Sequence, residues 1–220
     1  MMHKTNTTIQ HQHLCAVTLL GNLVAKPDIR YRANPISAVT EITIATNAKW
    51  LDKQTNTYKE WTSYHHVKVE GDLVEQALLN ADKGDIILIQ GFLSNIKTKN
   101  HLAIVHATFI EKFKRGYTQT VNQILCSGQI TSLAEVVTTP NNKALAQMNI
   151  MISHQEYSID KQCWQTHQVE RELHVWGKQA LYLVENVQVG DIVMIEGKLS
   201  YLATADKTQF IEAKLVHRLS

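Results

Sequence analysis

The sequence predicts an all-β protein built from two tandem five-stranded barrels, each with one short helix. Three observations support this: short runs in which apolar and polar residues alternate, one stretch of helical spacing in each half, and an internal repeat of about 106 residues. The chain has 220 residues, which suffices for two domains of roughly 100 to 110 residues. With 44% hydrophobic and 19% charged residues, the composition is that of a globular chain and argues against disorder.

Three sequence blocks recur at a nearly constant spacing. Residues 67–71 recur as residues 173–177, residues 83–93 recur as residues 189–199, and residues 20–23 recur as residues 127–130. The first two spacings are 106 residues and the third is 107, a difference of one inserted or lost residue. Constant spacing over separated blocks indicates that the chain is a duplication.

The repeat divides the chain into two expected domains. We predict a polar leader at residues 1–13, a first domain at residues 14–115 and a second domain at residues 123–220. Residues 116–122 are expected to form a linker, because they are polar and lack hydrophobic periodicity. A linker this short would keep the two domains adjacent.

Each repeat has the order strand, strand, strand, helix, strand, strand. In the first repeat the expected strands are residues 14–23, 39–46, 64–69, 86–93 and 102–113. Helical spacing marks Leu73, Val74, Ala77 and Leu78 in the first repeat, and Leu181, Val184 and Val187 in the second. Gly84 is placed to end the first helix. This is the order of the OB-fold, a small barrel that often holds oligonucleotides.

The sequence excludes several classes of protein. The longest uncharged apolar runs have the length of a strand, far short of the ~20 residues that span a bilayer, so no membrane association is expected. Residues 1–13 lack the apolar stretch of a signal peptide, so we expect a cytoplasmic protein. Paired carboxylates, nucleophile motifs and phosphate loops are absent, so we expect neither an enzyme nor a cofactor.

Cysteine and histidine spacing does not predict a metal site. Cys15, Cys126 and Cys163 are odd in number and lie far apart, and the apolar surroundings of the first two favour buried free thiols. His65 and His66 are adjacent on an expected strand and point to opposite faces, so they cannot bind one ion together. We expect no metal site.

The basic residues are concentrated in the first half. Residues 1–115 contain 14 Lys and Arg against 10 Asp and Glu, whereas residues 116–220 contain 8 against 10. The net charge of +2 thus combines +4 in the first half with −2 in the second. A polyanion would therefore be attracted more strongly to the first half than to the second.

Four blocks of the first repeat keep the order and spacing of a known family. They are Gly21-Asn22-Leu23 with Pro27 and Arg30-Tyr31, Ile44-Ala45-Thr46 with Trp50 and Asp52-Lys53, Tyr64-His65-His66-Val67, and residues 84–93. Over residues 14–113 these blocks resemble the bacterial single-stranded DNA-binding protein (SSB) family, in which the third block reads W-H-R-V. The second repeat is less similar, chiefly through residues 175–178 and 190–199.

The resemblance implies a surface on which unpaired bases stack. Stacking on aromatic side chains contributes roughly 1–3 kcal/mol per base and is insensitive to sequence. The family's stacking positions correspond here to Trp50, Tyr64, Glu70 and, approximately, Ile96. Two of the four are therefore aromatic in the first repeat. In the second repeat Trp176 takes the place of Glu70, whereas Glu156 takes the place of Trp50.

Further candidates surround these positions. Trp61 and Trp164 are expected in the loops between the second and third strands, and Tyr201 lies near the fourth stacking position. The candidate phosphate contacts are Lys49, Lys53, Lys59, Lys68, Arg30, Arg32 and Lys178. His66 would stack or form hydrogen bonds in its neutral form. Exposed aromatic residues also occur in dimer interfaces, which is the alternative interpretation.

These features predict sequence-independent binding of single-stranded DNA, carried mostly by the first domain, in replication, recombination or repair. A homodimer of two-domain chains would reach the four OB-folds that family members commonly assemble. Typical members carry an acidic C-terminal tip that recruits partners, whereas residues 215–220 directly follow the last expected strand, so that role is not expected. Two alternatives remain open: a replication-restart or mobile-element accessory protein that bridges single-stranded DNA to a helicase, and an OB-fold scaffold that binds only protein.

Overall fold

The structure is a computed structural model in which strands predominate. It describes residues 14–52, 55–95, 103–116, 119–133, 135–138, 143–158, 162–204 and 207–219. Lys53, Ile96 and the predicted leader lie outside the described residues.

The described residues of the first half form six strands and one helix. They are β1 (Cys15–Leu23), β2 (Arg30–Arg32), β3 (Ser37–Asp52), β4 (Thr57–Glu70), α1 (Asp72–Ala77), β5 (Ile86–Asn95) and β6 (Ala103–Phe113). Buried and more exposed residues alternate along β1, because successive side chains of a strand point to opposite faces. Val74 and Ala77 of α1 are buried against the same core.

The second half repeats this order. It contains β7 (Val121–Ile130), β8 (Glu135–Thr138), β9 (Ala144–Ser158), β10 (Cys163–Trp176), α2 (Lys178–Asn186), β11 (Ile192–Tyr201) and β12 (Gln209–Arg218). The short strands β2 and β8 were not predicted, since three or four exposed residues carry no hydrophobic alternation.

Two barrels share one sheet. Among the described residues the strand order is β2-β3-β4-β6-β5-β1-β7-β11-β12-β10-β9-β8. The parallel pairs β4–β6 and β10–β12, together with the pairs β1–β3 and β7–β9, curl each half of this sheet back on itself. The predicted all-β class with tandem OB-folds is confirmed.

Strands β1 and β7 join the two halves. They pair antiparallel, with Cys15 opposite Cys126 at one end and Leu20 opposite Val121 at the other. Both cysteines are buried free thiols, as predicted, and Cys163 is free and exposed. Burial raises the pKa of Cys15 and of Cys126, which keeps both thiols protonated.

Each half projects a long hairpin that the sequence interpretation had ended too early. The β3–β4 ladder continues without interruption to the pair Asp52 and Thr57. We call the described part of residues 47–63 the first arm and that of residues 153–169 the second arm. The prediction that Trp61 and Trp164 lie in loops was wrong, because they belong to β4 and β10. Their neighbours are polar on both faces, so the arms lack the alternation that identifies a strand.

The helices are shorter than predicted. Helix α1 ends at Ala77, and Gly84 lies beyond it in the turn before β5, with a φ of 91°. Gly84 therefore does not end the helix, but its positive φ requires glycine or incurs strain. Val187 directly follows α2 in an extended conformation.

Candidate nucleic-acid interface

Three predicted site residues share one face of β4. Tyr64, His66 and Lys68 are alternate residues of this strand, so their side chains point to the same side. The Tyr64 ring is 48% exposed, and His66 Nδ1 lies 3.3 Å from Thr43 Oγ1. An accessible ring and a cation four residues further along the strand therefore share one face, which suits an unpaired base and a phosphate of the same strand.

Trp50 and Trp61 lie on the opposite face of the first arm. Trp50 is paired with Lys59 and Trp61 with Ala48, one residue out of phase with Tyr64. Both indoles are exposed and line a cleft of about 590 Å³ between the first arm and strands β7, β11 and β12. We call this space the arm cleft. The first arm thus presents aromatic rings on both faces.

Most of the predicted phosphate contacts already have carboxylate partners. Arg30 Nη2 lies 2.7 Å from Asp28 Oδ2, and Lys59 pairs with Asp52. Lys49 differs, because its Nζ lies 5.0 Å from the ring centroid of Tyr58. Exposed ion pairs contribute about 0–1 kcal/mol each, so a DNA phosphate can displace these carboxylates.

Glu70 contacts two cations and one imidazole at a predicted stacking position. Its carboxylate lies 2.7 Å from Arg32 Nη1, 3.0 Å from Lys68 Nζ and 3.5 Å from His106 Nε2. Partial burial raises the pKa of Glu70, but the Lys68 hydrogen bond and the surrounding charges outweigh burial and lower it overall. The Arg32 contact lacks hydrogen-bond geometry, so among the described residues Glu70 Oε1 is buried without a hydrogen bond. Glu70 therefore neutralises two of the predicted phosphate contacts.

One row of residues across the second half is apolar where the first half has two charged side chains. Val137, Leu145 and Trp176 are neighbours across strands β8, β9 and β10. The same three places of the first half hold Arg30, Val39 and Glu70. Trp176 is 41% exposed, and Lys178 is exposed at the first position of α2. The predicted pair of Trp176 and Lys178 therefore lies on an open surface.

Aromatic residues that the sequence interpretation missed lie on both arms. Tyr157 meets Trp164 edge to face, with 5.6 Å between their ring centroids, and both are exposed. Tyr58 occupies the equivalent of Trp164 on the first arm and is also exposed. Recognising the arms as strands would have revealed these rings, since Tyr58 shares the parity of Tyr64.

Tyr201 is held by a buried polar network. Its hydroxyl accepts a hydrogen bond from Gln209 Nε2 at 3.0 Å and lies 3.1 Å from His65 Nδ1. His65 Nε2 in turn lies 2.8 Å from Thr46 Oγ1. Burial lowers the pKa of His65 to about 4 and raises the pKa of Tyr201 to about 12. We assign the imidazole proton to Nε2, because Tyr201 can then donate to Nδ1. Tyr201 lines the arm cleft, but its hydroxyl is already hydrogen-bonded within the protein.

The same network continues back into the first half. Arg171 Nε donates to Gln209 Oε1 at 3.2 Å, and Arg171 Nη2 donates to the Ser94 carbonyl oxygen at 3.1 Å. Burial lowers the pKa of Arg171 to about 10, which still leaves it charged at neutral pH. Arg171 and His65 occupy equivalent strand positions, so each half inserts one buried basic side chain at the contact with the other.

A stack of rings fills the contact between the second arm and the first half. Phe92 is 1% exposed, and its centroid lies 5.0 Å from His106, 4.3 Å from His154 and 5.2 Å from His167. Burial lowers the pKa of His106 and of His154. Both rings are therefore uncharged at neutral pH and can pack on the phenyl ring.

Within the part of the chain that the structure describes, no three His, Cys, Asp or Glu side chains are grouped closely enough to hold a metal ion. Within the same ranges, neither helix has the length and apolar character needed to cross a membrane.

Both halves of the sequence match one protein family. The family is described as "Single-strand binding protein family", and its profile aligns with residues 14–107 and again with residues 121–218. The chain belongs to this family. Two SSB units thus follow one another in a single chain, and the resemblance inferred from the first repeat is confirmed.

Solved structures share the two-unit fold of this SSB-family chain. A deletion variant of the single-stranded DNA binding protein from Thermus aquaticus aligns with a TM-score of 0.77 and 22% identity, covering 95% of this chain and 96% of that chain. The wild-type protein from the same organism aligns with a TM-score of 0.75 and 23% identity, covering 95% and 94%. At this identity the likeness establishes the common fold, including the tandem arrangement.

Proposed function

We propose that this SSB-family protein binds single-stranded DNA without base preference, by stacking bases on aromatic rings and contacting phosphates with Lys and Arg. The β3–β4 hairpin supports this proposal, because it presents Tyr64 on one face and Trp50 and Trp61 on the other, each at least 46% exposed. Rings that are accessible on both faces of a strand pair can accept any base, since every base has a π-face.

The cations of the first half would follow the phosphates. Lys49, Lys59, Lys68, Arg30 and Arg32 all lie on β2, on β4 or on the first arm, together with the aromatic residues. Lys53 belongs to the same predicted set and lies outside the described residues. Trp176 with Lys178, and Trp164 with Tyr157, would extend the track over the second half.

Titration of a labelled oligo-dT by fluorescence anisotropy tests this function. We expect affinity to fall with salt, with a log–log slope of about −0.7 for each phosphate neutralised. Tyr64→Ala and Trp50→Ala should each weaken binding roughly five- to hundredfold, the loss of one stacked base. Tyr182→Ala, which removes an exposed ring of α2, should bind like the wild type. DNA affinity that does not change with salt, or that is the same in Tyr64→Ala, Trp50→Ala and the wild type, would instead indicate an OB-fold scaffold that binds protein.

We further propose that two chains associate to bring four OB-folds together. Phe109 and Leu215 occupy equivalent places on β6 and β12, and both remain 39–42% exposed. Apolar side chains that recur at equivalent exposed places suit a symmetric contact. Light scattering should give twice the 25.0 kDa of one chain, and Phe109→Glu together with Leu215→Glu should return the mass to one chain.

The biological role that fits these properties is protection of single strands during replication, recombination or repair in the cytoplasm. A bridging role toward a helicase is the second candidate, favoured by the exposed apolar row of Val137 and Trp176. Binding of a purified replicative helicase to the wild type, and its loss in Val137→Glu, would support bridging. Equal binding by both proteins would exclude that surface.

A further inference from the structure

The two halves contact each other at two equivalent seams. In each seam one arm lies over the last strands of the other half. Phe92 and Lys198 occupy the same place in the two halves. The β5–β6 ladder has a bulge at Gln90 and Gly91, the β11–β12 ladder has one at Glu196 and Gly197, and each of the two residues comes directly after its bulge. Their partners across these ladders are His106 and Glu212. The duplication therefore allows the two seams to be compared residue by residue.

One seam, which we call the filled seam, is occupied at this place by rings of the protein itself. A cavity of about 460 Å³ lies beside these rings and is lined by Phe92, His154 and Trp164 among others. Phe92 packs among His106, His154 and His167, with centroid distances between 4.3 and 5.2 Å. The two histidines of the second arm are directly opposite each other in the β9–β10 ladder. A stack of flat rings is thus the packing that this geometry accommodates.

The other seam lacks this stack. Ala48 and Trp61 stand in the places of His154 and His167, again directly opposite each other. Lys198 extends toward Glu212 and forms an ion pair at 3.2 Å, where the filled seam has two stacked rings. The space left is the arm cleft of about 590 Å³, within the ~300–1,000 Å³ of ligand sites, and the Trp61 indole beside it is 57% exposed.

The polar groups around the arm cleft are already paired within the protein. The Asn122 side chain exchanges two hydrogen bonds with the backbone of Leu199, at 2.8 and 3.0 Å. Ser200 Oγ donates to Glu212 at 3.2 Å, and Asn47 Oδ1 accepts from Thr62 at 2.7 Å. With these groups engaged, the cleft offers ring faces and few free groups to read the edge of a base.

We propose that the arm cleft receives one base of the bound single strand, stacked on Trp61 in the place that protein rings fill in the other seam. Phe210 and Trp50 complete the apolar lining, and Lys198 can leave Glu212 for the adjacent phosphate. The site accepts all four bases, because stacking alone holds the ring. This inference rests on the proposed binding of single-stranded DNA.

Substitution of Trp61 tests the stacking contact. Trp61→Ala should weaken binding of a labelled oligo-dT roughly five- to hundredfold, whereas Trp61→Phe should retain most of the affinity. Because Trp61 is exposed, neither change should lower the thermal midpoint by more than a few degrees. If the wild type binds and Trp61→Ala binds within twofold of it, the cleft is not a base site. A wild type that fails to bind would instead refute the proposed function itself.

A second variant fills the cleft with the residues of the other seam. Ala48→His combined with Lys198→Phe places two rings where the filled seam has His154 and Phe92. We expect this double variant to bind oligo-dT at least fivefold more weakly than Lys198→Met, which removes the same charge without adding a ring. Equal affinity of the two variants would show that the cleft stays empty when DNA binds.

Fluorescence locates the base directly. The chain has four tryptophans, so Trp50→Phe, Trp164→Phe and Trp176→Phe together leave Trp61 as the only indole. Oligo-dT should quench its emission over the concentration range in which anisotropy reports binding. Binding without quenching would overturn the proposal.

Discussion

Glu70 is the residue at which this chain departs most from a simple stacking surface. It stands where the SSB resemblance places a ring, and it holds Arg32 and Lys68 within 3.0 Å. A carboxylate in this place opposes a phosphate by charge and occupies the two cations that would attract one. Its Oε1 atom lies 2.7 Å from Arg32 Nη1 and is buried without a hydrogen bond among the described residues.

We expect Glu70→Gln to tighten DNA binding. The substitution keeps the shape of the side chain, removes its charge and releases Arg32 and Lys68 for phosphates. The gain should be roughly three- to tenfold at 0.1 M salt, because each exposed pair contributes about 0–1 kcal/mol. Anisotropy titrations with oligo-dT should also show a steeper salt dependence. Unchanged or weaker binding would mean that these cations do not contact DNA.

His65 should make the protein sensitive to acid. Burial lowers its pKa from 6.5 to about 4. Between pH 6.5 and pH 4, His65 is therefore protonated in the unfolded state and neutral in the folded state. The stabilisation is therefore complete above pH 6.5 and is lost as the pH falls toward 4, by on the order of 3 kcal/mol. His106 and His154 act in the same direction.

Urea unfolding at pH 7.0, 5.5 and 4.5 measures this effect. The free energy of unfolding should fall over this series in the wild type and fall less in His65→Gln, which cannot be protonated. A parallel decline in the two proteins would show that His65 is not the titrating group.

Some site residues could be predicted from the sequence and others could not. Trp50 and Tyr64 follow from motif spacing, because exposed rings in a polar context have few structural uses. Tyr201 was a weaker candidate, chosen for its place near the fourth stacking position, and its hydroxyl is hydrogen-bonded to His65, a residue 136 positions away in the chain. The contacts of Glu70 with Arg32 and His106 are likewise tertiary. No local pattern encodes such a partner, since it depends on how distant strands are brought together.

At the level of elements, the arms are the feature that sequence patterns hid. Strand β3 continues six residues beyond the end that alternation predicted, and β4 begins seven residues earlier. Inside the barrel one face of each strand is buried, so apolar residues recur at every second position. On the first arm most residues of both faces are exposed, and backbone pairing continues the ladder without a buried face. The hidden segment is also the one that carries Trp50 and Trp61.

The bulge in β5 should be intolerant of any side chain. A Cβ at Gly91 would overlap the carbonyl oxygen of His106 on the neighbouring strand. We expect Gly91→Ala to cost about 1–3 kcal/mol, as in other overpacked interiors, measured from the shift of the urea midpoint. Gly116→Ala is the matched control, because its Cβ would meet only Ile86 Cδ1 at 3.8 Å. Equal stability of both variants would contradict the bulge geometry.

At the level of the whole molecule, the two OB-folds should unfold together. They share one sheet through β1 and β7, and the buried network from Thr46 to Ser94 crosses between them twice. Calorimetry should therefore give a single transition whose calorimetric and van't Hoff enthalpies agree. Two separate transitions would show that the halves are thermodynamically independent.

The duplication revealed that there are two units, but it did not predict how they meet. Repeat spacing reports similarity between segments and carries no information on which strand edges pair. Residues 15–20 are uncharged and so are residues 121–126, a character they share with several other strands. Pairing of these two segments depends on the shapes of two completed barrels.

The β1–β7 pairing also has a consequence for synthesis of the chain. Strand β1 leaves the ribosome about one hundred residues before β7 exists, so the newborn first barrel has one bare strand edge. Several ribosomes translating one mRNA bring such nascent chains, each with an unpaired β1 edge, to a high local concentration. Strand exchange between nascent chains then competes with β1–β7 pairing within one chain. The rate at which the second barrel is translated determines how long the β1 edge remains open to such exchange.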